Sequence, residues 1–183
     1  MNERLMGIKI FESKNFIFRA LKKSDKYDVY HFFSDENVMK LDESNPVKSV
    51  KEIEDYIKTV TELNRSPHYM IWGVESKQIN KIIATCGFNN WNRHNQHAEL
   101  GGNLSSQFWG KGYAKEILIA LLNYAFQDME LHKIYGKTNH KNIPAIKLMN
   151  KFGFQEEGRL REHQLLDGTY EDVLLFGLLK KDY

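Results

Sequence analysis

The strongest constraint in this chain is a glycine-punctuated loop, Gln107-Phe108-Trp109-Gly110-Lys111-Gly112-Tyr113-Ala114, set between a β-rich run and a long amphipathic one. The run before it is Ala98-Glu-Leu-Gly-Gly-Asn-Leu-Ser105. After it, Ala114, Ile117, Leu118, Leu121, Leu122, Ala125 and Met129 form one apolar stripe, predicting a helix over about 113–129 that packs on a sheet. Strand, loop and helix start together make an anion-binding device. The first-turn N–H groups have no partner within the helix, and the dipole favours negative charge there. Gly110 and Gly112 permit φ > 0 and keep Cβ atoms out of a ligand's way, and Lys111 adds a positive charge. Taken alone, the same pattern equally describes an ordinary helix start.

The remaining chain fixes the setting. Residues 1–14 are weakly patterned and read as an extended lead-in; Phe16 to Leu21 reads as a strand. Ser24 and Asp25 offer N-caps to a helix carrying Tyr27 to Phe33. A polar loop over Ser34 to Pro46 follows. Ser49 and Glu52 then make a capping-box pattern ahead of Val50, Ile53, Ile57 and Val60, a helical spacing. His68–Glu75 and Lys81–Phe88 read as an antiparallel hairpin, and Asn89–Gln96 as a polar connection into the strand before the loop. Lys133–Thr138 is a short strand. Asn139 or Asn142 caps a helix that ends at Gly153, and Asp167-Gly168 turns a final hairpin whose second strand, Val173–Leu179, is apolar enough to be central. This predicts one α/β domain over 1–183 with a mixed sheet and a strand–helix–strand crossover around 98–138.

Composition excludes several functions. A net charge of +2 with dispersed Lys and Arg argues against nucleic acid as a partner. The single Cys86 permits no intramolecular disulfide and sits in an apolar run, so it reads as core. No apolar run approaches a membrane span and the first residues lack a signal core, so no membrane partner and a cytoplasmic location are expected. His94 and His97 have no further ligand at metal spacing, so no metal is expected. The loop also fails the nucleotide fingerprints: Gly110 to Lys115 is not a Walker sequence, and Lys115 stands where a dinucleotide fold needs Gly or Ala.

Gln107-x-x-Gly110-x-Gly112-Tyr-Ala resembles the Q/R-x-x-G-x-G/A signature of the GNAT superfamily of acetyl-CoA-dependent N-acetyltransferases. Asn142-x-x-Ala-x-x-Leu-x-x-Lys-x-Gly-Phe154, Glu157-Gly-x-Leu-Arg161 and Asp167-Gly-x-Tyr-x-Asp172 resemble landmarks of its RimJ/RimL-type branch, which acetylates N-terminal residues of ribosomal proteins. The resemblance implies the GNAT fold, with six to seven strands, about four helices and a splay between the fourth and fifth strands. It implies that Gln107 to Ala114 hold the pyrophosphate of acetyl-CoA, that Asn103 and Leu104 pair with the pantetheine arm, and that Asn142 bonds it from the far side. Gly101 and Gly102 mark the expected place of a strand bulge.

The same resemblance makes Glu99 the expected general base. Two family positions for a general acid are vacant here: Met149 stands where several branches have Tyr, and Ala145 where many relatives have Ser. A bound water, another tyrosine such as Tyr135, or no residue at all is left for that role, and none is assigned. The acceptor is expected to be a primary amine, the N-terminal residue of a protein or a small polyamine, amino sugar or amino acid. Asp35, Glu36, Asp42 and Glu43 are either its groove or solvated surface, and Trp91, Arg93 and the final hairpin are further groove candidates. A non-catalytic CoA-binding sensor is the alternative of another class. An edge strand or the final hairpin is where a homodimer would form.

Overall fold

Each aromatic or β-branched run becomes a strand of a single sheet. The computed structural model describes residues 8–40, 42 and 45–183. Among these, the strands are β1 (Phe11–Glu12), β2 (Phe16–Arg19), β3 (Met70–Ser76), β4 (Lys81–Asn92), β5 (His97–Leu104), β6 (Lys133–Asn139), β7 (Gln155–Leu166) and β8 (Thr169–Leu179). The helices are α1 (Lys26–Phe33), α2 (Glu36–Met39), α3 (Val50–Leu63), α4 (Tyr113–Asn123) and α5 (Ile143–Lys151). The sheet order is β1-β2-β3-β4-β5-β6-β8-β7, and every pairing is antiparallel except β5 with β6. That one parallel pair is the product of the crossover through α4.

The sheet is covered on both faces, which explains the nearly unbroken burial of β4 and β8. One core joins Phe16, Trp72, Phe88, Ile134 and Phe176 to Ile117 and Leu121 of α4. The other joins Val29 and Phe32 of α1 to Ile53, Ile57 and Val60 of α3. Each of those three α3 side chains is at most 3% exposed and contributes about 1.5–3 kcal/mol by leaving water. Ser49 caps α3 as expected, but Glu52 accepts from Lys48 N and Ser49 Oγ, a variant of the box.

Several expectations need correction. Eight strands form where six to seven were expected, because Phe11–Glu12 of the lead-in pairs with β2. Five helices form, because Asp35 Oδ1 accepts from Asn37 N and starts a short α2 inside the expected loop. β4 runs on through Asn92, into what was expected to be a polar connection. The long helix is α-helical to Asn123 and continues as a π-turn over Tyr124–Asp128. The final hairpin turns on Asp167 and Gly168 as expected, both at positive φ.

Candidate active site

The site exists because two strands stop pairing. β5 and β6 share only His97–Glu99 against Lys133–Tyr135. Beyond Glu99, β5 stays with β4 through Leu104, whereas β6 follows β8 along its whole length. The splay expected between the fourth and fifth strands therefore lies between β5 and β6, the count being raised by β1. It opens a cleft of about 500 Å³. The bulge is not at Gly101 and Gly102, which keep regular pairs with Gly87 and Cys86. It lies at Asn90–Trp91, opposite Ala98, with Asn90 at φ 51. Gly102 answers a close approach instead: a Cβ there would meet Thr85 O at 2.6 Å.

Glu99 lies where the strands part and lines the cleft, its side chain 15% exposed. Oε2 accepts from Asn90 Nδ2 at 2.9 Å, and Oε1 is 3.4 Å from Lys137 Nζ. The β4 bulge thus presents Asn90 to Glu99, and β6 presents Lys137. Tyr135 is the direct cross-strand neighbour of Glu99, and burial, followed by that nearby negative charge, pushes its phenol pKa up. Cys86 lines the same cleft, but burial raises its thiol pKa far above the usual range, so it is no nucleophile at neutral pH.

At the other end the chain builds with backbone. Asn103 and Leu104 of β5 and Ala114 of α4 line the cleft; Gln107, Trp109, Gly110, Lys111, Gly112 and Tyr113 lie outside its wall. Gly110 and Gly112 have φ of 72° and 79°, and a Cβ at either would meet open space. Gly112 starts α4 with no side-chain cap, so the first-turn amides face outward unclaimed by a neighbour's oxygen. The turn fits an anion by that measure. It is pinned at its base: Trp109 Nε1 donates to Leu104 O at 2.9 Å, Gln107 Nε2 meets His31 Nε2 at 3.1 Å, and Ser106 Oγ donates to Asp35. Lys111 Nζ rests 5.2 Å over the Phe108 ring.

Asn142 caps α5, its Oδ1 accepting from Ala145 N at 3.3 Å, and lines the cleft with Ala145 and Met149. The acidic group proposed for the acceptor divides. Asp35 is committed to the α2 cap and Ser106, and the Ser106 hydrogen bond lowers its pKa. Asp42 lines the cleft, Glu36 opens α2, and Glu43 lies outside the described residues. Arg93 stacks on Trp91 at 3.8 Å. Asn90, Lys137, Asn139 and Gln164 were missed as site residues. Lys137 was the one within reach, since alternation from Tyr135 puts it on the Glu99 side of β6.

Comparison with known proteins gives the geometry a context. The acetyltransferase (GNAT) domain model matches residues 15–155. The chain is 33% identical over 165 residues to the uncharacterized N-acetyltransferase p20 of Bacillus licheniformis, covering 90% of this chain and 93% of that protein. It is 26% identical over 125 residues to the [ribosomal protein uS5]-alanine N-acetyltransferase of Escherichia coli (strain K12), covering 68% and 64%. The crystal structure of spermidine N-acetyltransferase from Vibrio cholerae in complex with CoA and spermine matches the fold with a TM-score of 0.82 at 26% identity, over 93% of this chain and 99% of that one.

Proposed function

The chain belongs to the GNAT acetyltransferase family, an acetyl-CoA-dependent N-acetyltransferase, and from that premise we propose that it acetylates a primary amine on a cationic acceptor by direct attack of the amine on the thioester, with Glu99 as the base. The observation that carries this reading is the cleft that opens where β5 leaves β6, with Glu99 at its apex and an uncapped helix start beyond its far end. Acetyl-CoA, when bound, supplies the thioester acyl group. The first-turn amides after Gly110 and Gly112 bind the diphosphate, with Lys111 adding charge and Gln107, Trp109 and Tyr113 framing the turn. Asn103 and Leu104 sit on the part of β5 whose β6 side has no ladder partner, so its N–H and C=O groups take the pantetheine arm as a further strand. Asn142 spends Oδ1 on its cap, so it reaches that arm through Nδ2.

Glu99 takes the proton from the entering ammonium, and the free β5 edge donates an N–H to the carbonyl oxygen as charge develops there. Ala145 and Met149 give the α5 wall no acid, so the thiolate leaves without a protonated side chain from that helix. Two carboxylates line the cleft, Glu99 and Asp42, which favours a small polycation such as a polyamine. The similarity to the spermidine enzyme, which spans nearly the whole chain, supports the same acceptor. A protein N-terminus is the second reading, carried by the similarity to the uS5-alanine enzyme.

The test is a panel of spermidine, other small amines and a peptide with a free N-terminal alanine, assayed for thiol release and by mass spectrometry of the product. One thiol per N-acetyl group on spermidine is expected. Acetylation of the peptide alone would transfer the reading to protein N-termini. A thermal shift with acetyl-CoA but no turnover across the panel would replace the enzyme by a CoA-binding sensor.

A further inference from the structure

β7 is an edge strand with almost every side chain in or near solvent, and its one buried residue is a glutamine. Gln164 is 7% exposed and lines the cleft. A buried amide costs free energy unless its bonds are met, and an aliphatic side chain would fill the place without that cost. Both ends of Gln164 are met. Oε1 accepts from Asn139 Nδ2 at 2.8 Å, and Nε2 donates to Asp42 O at 2.6 Å, across 122 residues of sequence.

The bonds continue on the far side. Asn139, 1% exposed, ends β6; its Oδ1 accepts from Lys141 N at 2.8 Å and its carbonyl accepts from Asn142 N at 2.9 Å. A hydrogen-bonded path therefore runs Asn142–Asn139–Gln164–Asp42, and all four residues line the cleft. β7 reaches this path through a bulge in which Arg161, Glu162 and His163 stand against Asp172 alone. Glu162 sits there at φ 49, and its N–H donates to Asp172 Oδ1 at 2.9 Å. The strand is thus distorted just before its single inward polar residue, which ties the segment after α2 to the end of β6.

We propose that Gln164 is a positioning residue for the acceptor: it holds the Asp42 backbone in place and so fixes the wall along which the amine enters. This rests on the cleft being the acyl-transfer site. Gln164 acts through Asp42 and is assigned no contact with the acetyl donor, so its effect falls on one substrate.

Two variants test it, Gln164→Glu and Gln164→Leu. The first keeps the acceptor for Asn139 and sets a carboxylate against the Asp42 carbonyl; the second removes both bonds. With spermidine or the alanine-initiated peptide, whichever the wild type acetylates, Q164L, which adds no charge to the cleft, is expected to raise the amine KM about tenfold. The acetyl-CoA KM stays within about twofold, because no donor contact changes. Exchange of the Asp42 amide, which donates to Met39 O at 3.0 Å, should speed up in both variants. An unchanged amine KM, or equal rises in both KM values, would overturn the assignment. If the wild type acetylates nothing in the panel, the functional reading falls separately, and exchange alone decides the strut: unchanged exchange of the Asp42 amide overturns it, and faster exchange there upholds it.

Discussion

The two ends of the cleft are built from different materials. The α4 end is backbone: a left-handed Gly110, a left-handed Gly112 and the uncapped amides of a helix start, all within a few residues of one another. The Glu99 end is side chains, with Asn90 from β4 and Lys137 from β6. A backbone site is specified by where glycine is allowed, and tolerates change in the remaining side chains. A side-chain site depends on each identity, and on registers that bring distant strands together.

The comparison is broken most directly at Glu99. Glu99→Gln preserves the bond geometry toward Asn90 in size while removing the base, and kcat/KM for the amine should fall about 10²–10³-fold. An unchanged kcat/KM for the amine would remove Glu99 from the role of base. Acetyl-CoA should still raise the melting temperature as in the wild type. Loss of that thermal shift together with activity would mean that the two ends are not separable.

Gly112→Trp attacks the other end. A Cβ at Gly112 meets nothing within 4 Å, so the substitution is not blocked at its first atom, and the left-handed φ costs about 1–3 kcal/mol. The ring would occupy the open side of the turn. Wild-type protein at a hundredfold excess of acetyl-CoA over Kd gains about 2.7 kcal/mol, roughly 5–10 °C in Tm for a chain of this size. The variant should lose most of that shift and raise the acetyl-CoA KM at least tenfold, with kcat at saturating acetyl-CoA within about threefold. An unaltered thermal shift would remove the turn from the cofactor site.

The same division governs what could be read in advance. The α4 turn was legible because its chemistry is local: glycine spacing, a helix stripe and a preceding strand lie within about thirty residues. The sheet order was legible for a similar reason, since alternation and the Asp167-Gly168 turn fix neighbours pairwise. The Glu99 surroundings were not. Asn90 serves Glu99 only because the β4 bulge opposite Ala98 presents it there, and no pattern around Asn89-Asn90 forces a bulge rather than a loop. Gln164 looks like a surface residue on a polar strand, and its burial follows from Asp42 arriving from far away in sequence. Gly101 and Gly102 misled because glycine marks both bulges and close approach, and at Gly102 the crowding by Thr85 O is the operative cause.

The hydrogen bond that Ser106 Oγ donates to Asp35 joins the base of the loop to the cap of α2. Its removal in Ser106→Ala is the mildest of these changes, about 0.5–1.5 kcal/mol, or roughly 1–6 °C in Tm. The pH dependence identifies it. The Ser106 hydrogen bond is the largest influence holding the Asp35 pKa below its ordinary value. A carboxylate with a depressed folded-state pKa contributes stability that is complete above its unfolded pKa, about pH 4, and is lost as pH falls through the folded value. The Tm deficit of S106A should therefore be full at pH 6 and shrink below about pH 4, as the wild type loses the same contribution. Melting curves from pH 6 to pH 2.5 measure this, and a deficit that stays constant or grows toward low pH would mean that Asp35 draws its stabilisation from the α2 cap alone. Activity sharpens the point. If the loop and the front segment are independent, S106A should leave both KM values unchanged. If this contact aligns them, acetyl-CoA and amine KM should rise together by about two- to threefold, in contrast with the one-sided effects of Gly112→Trp and Gln164→Leu.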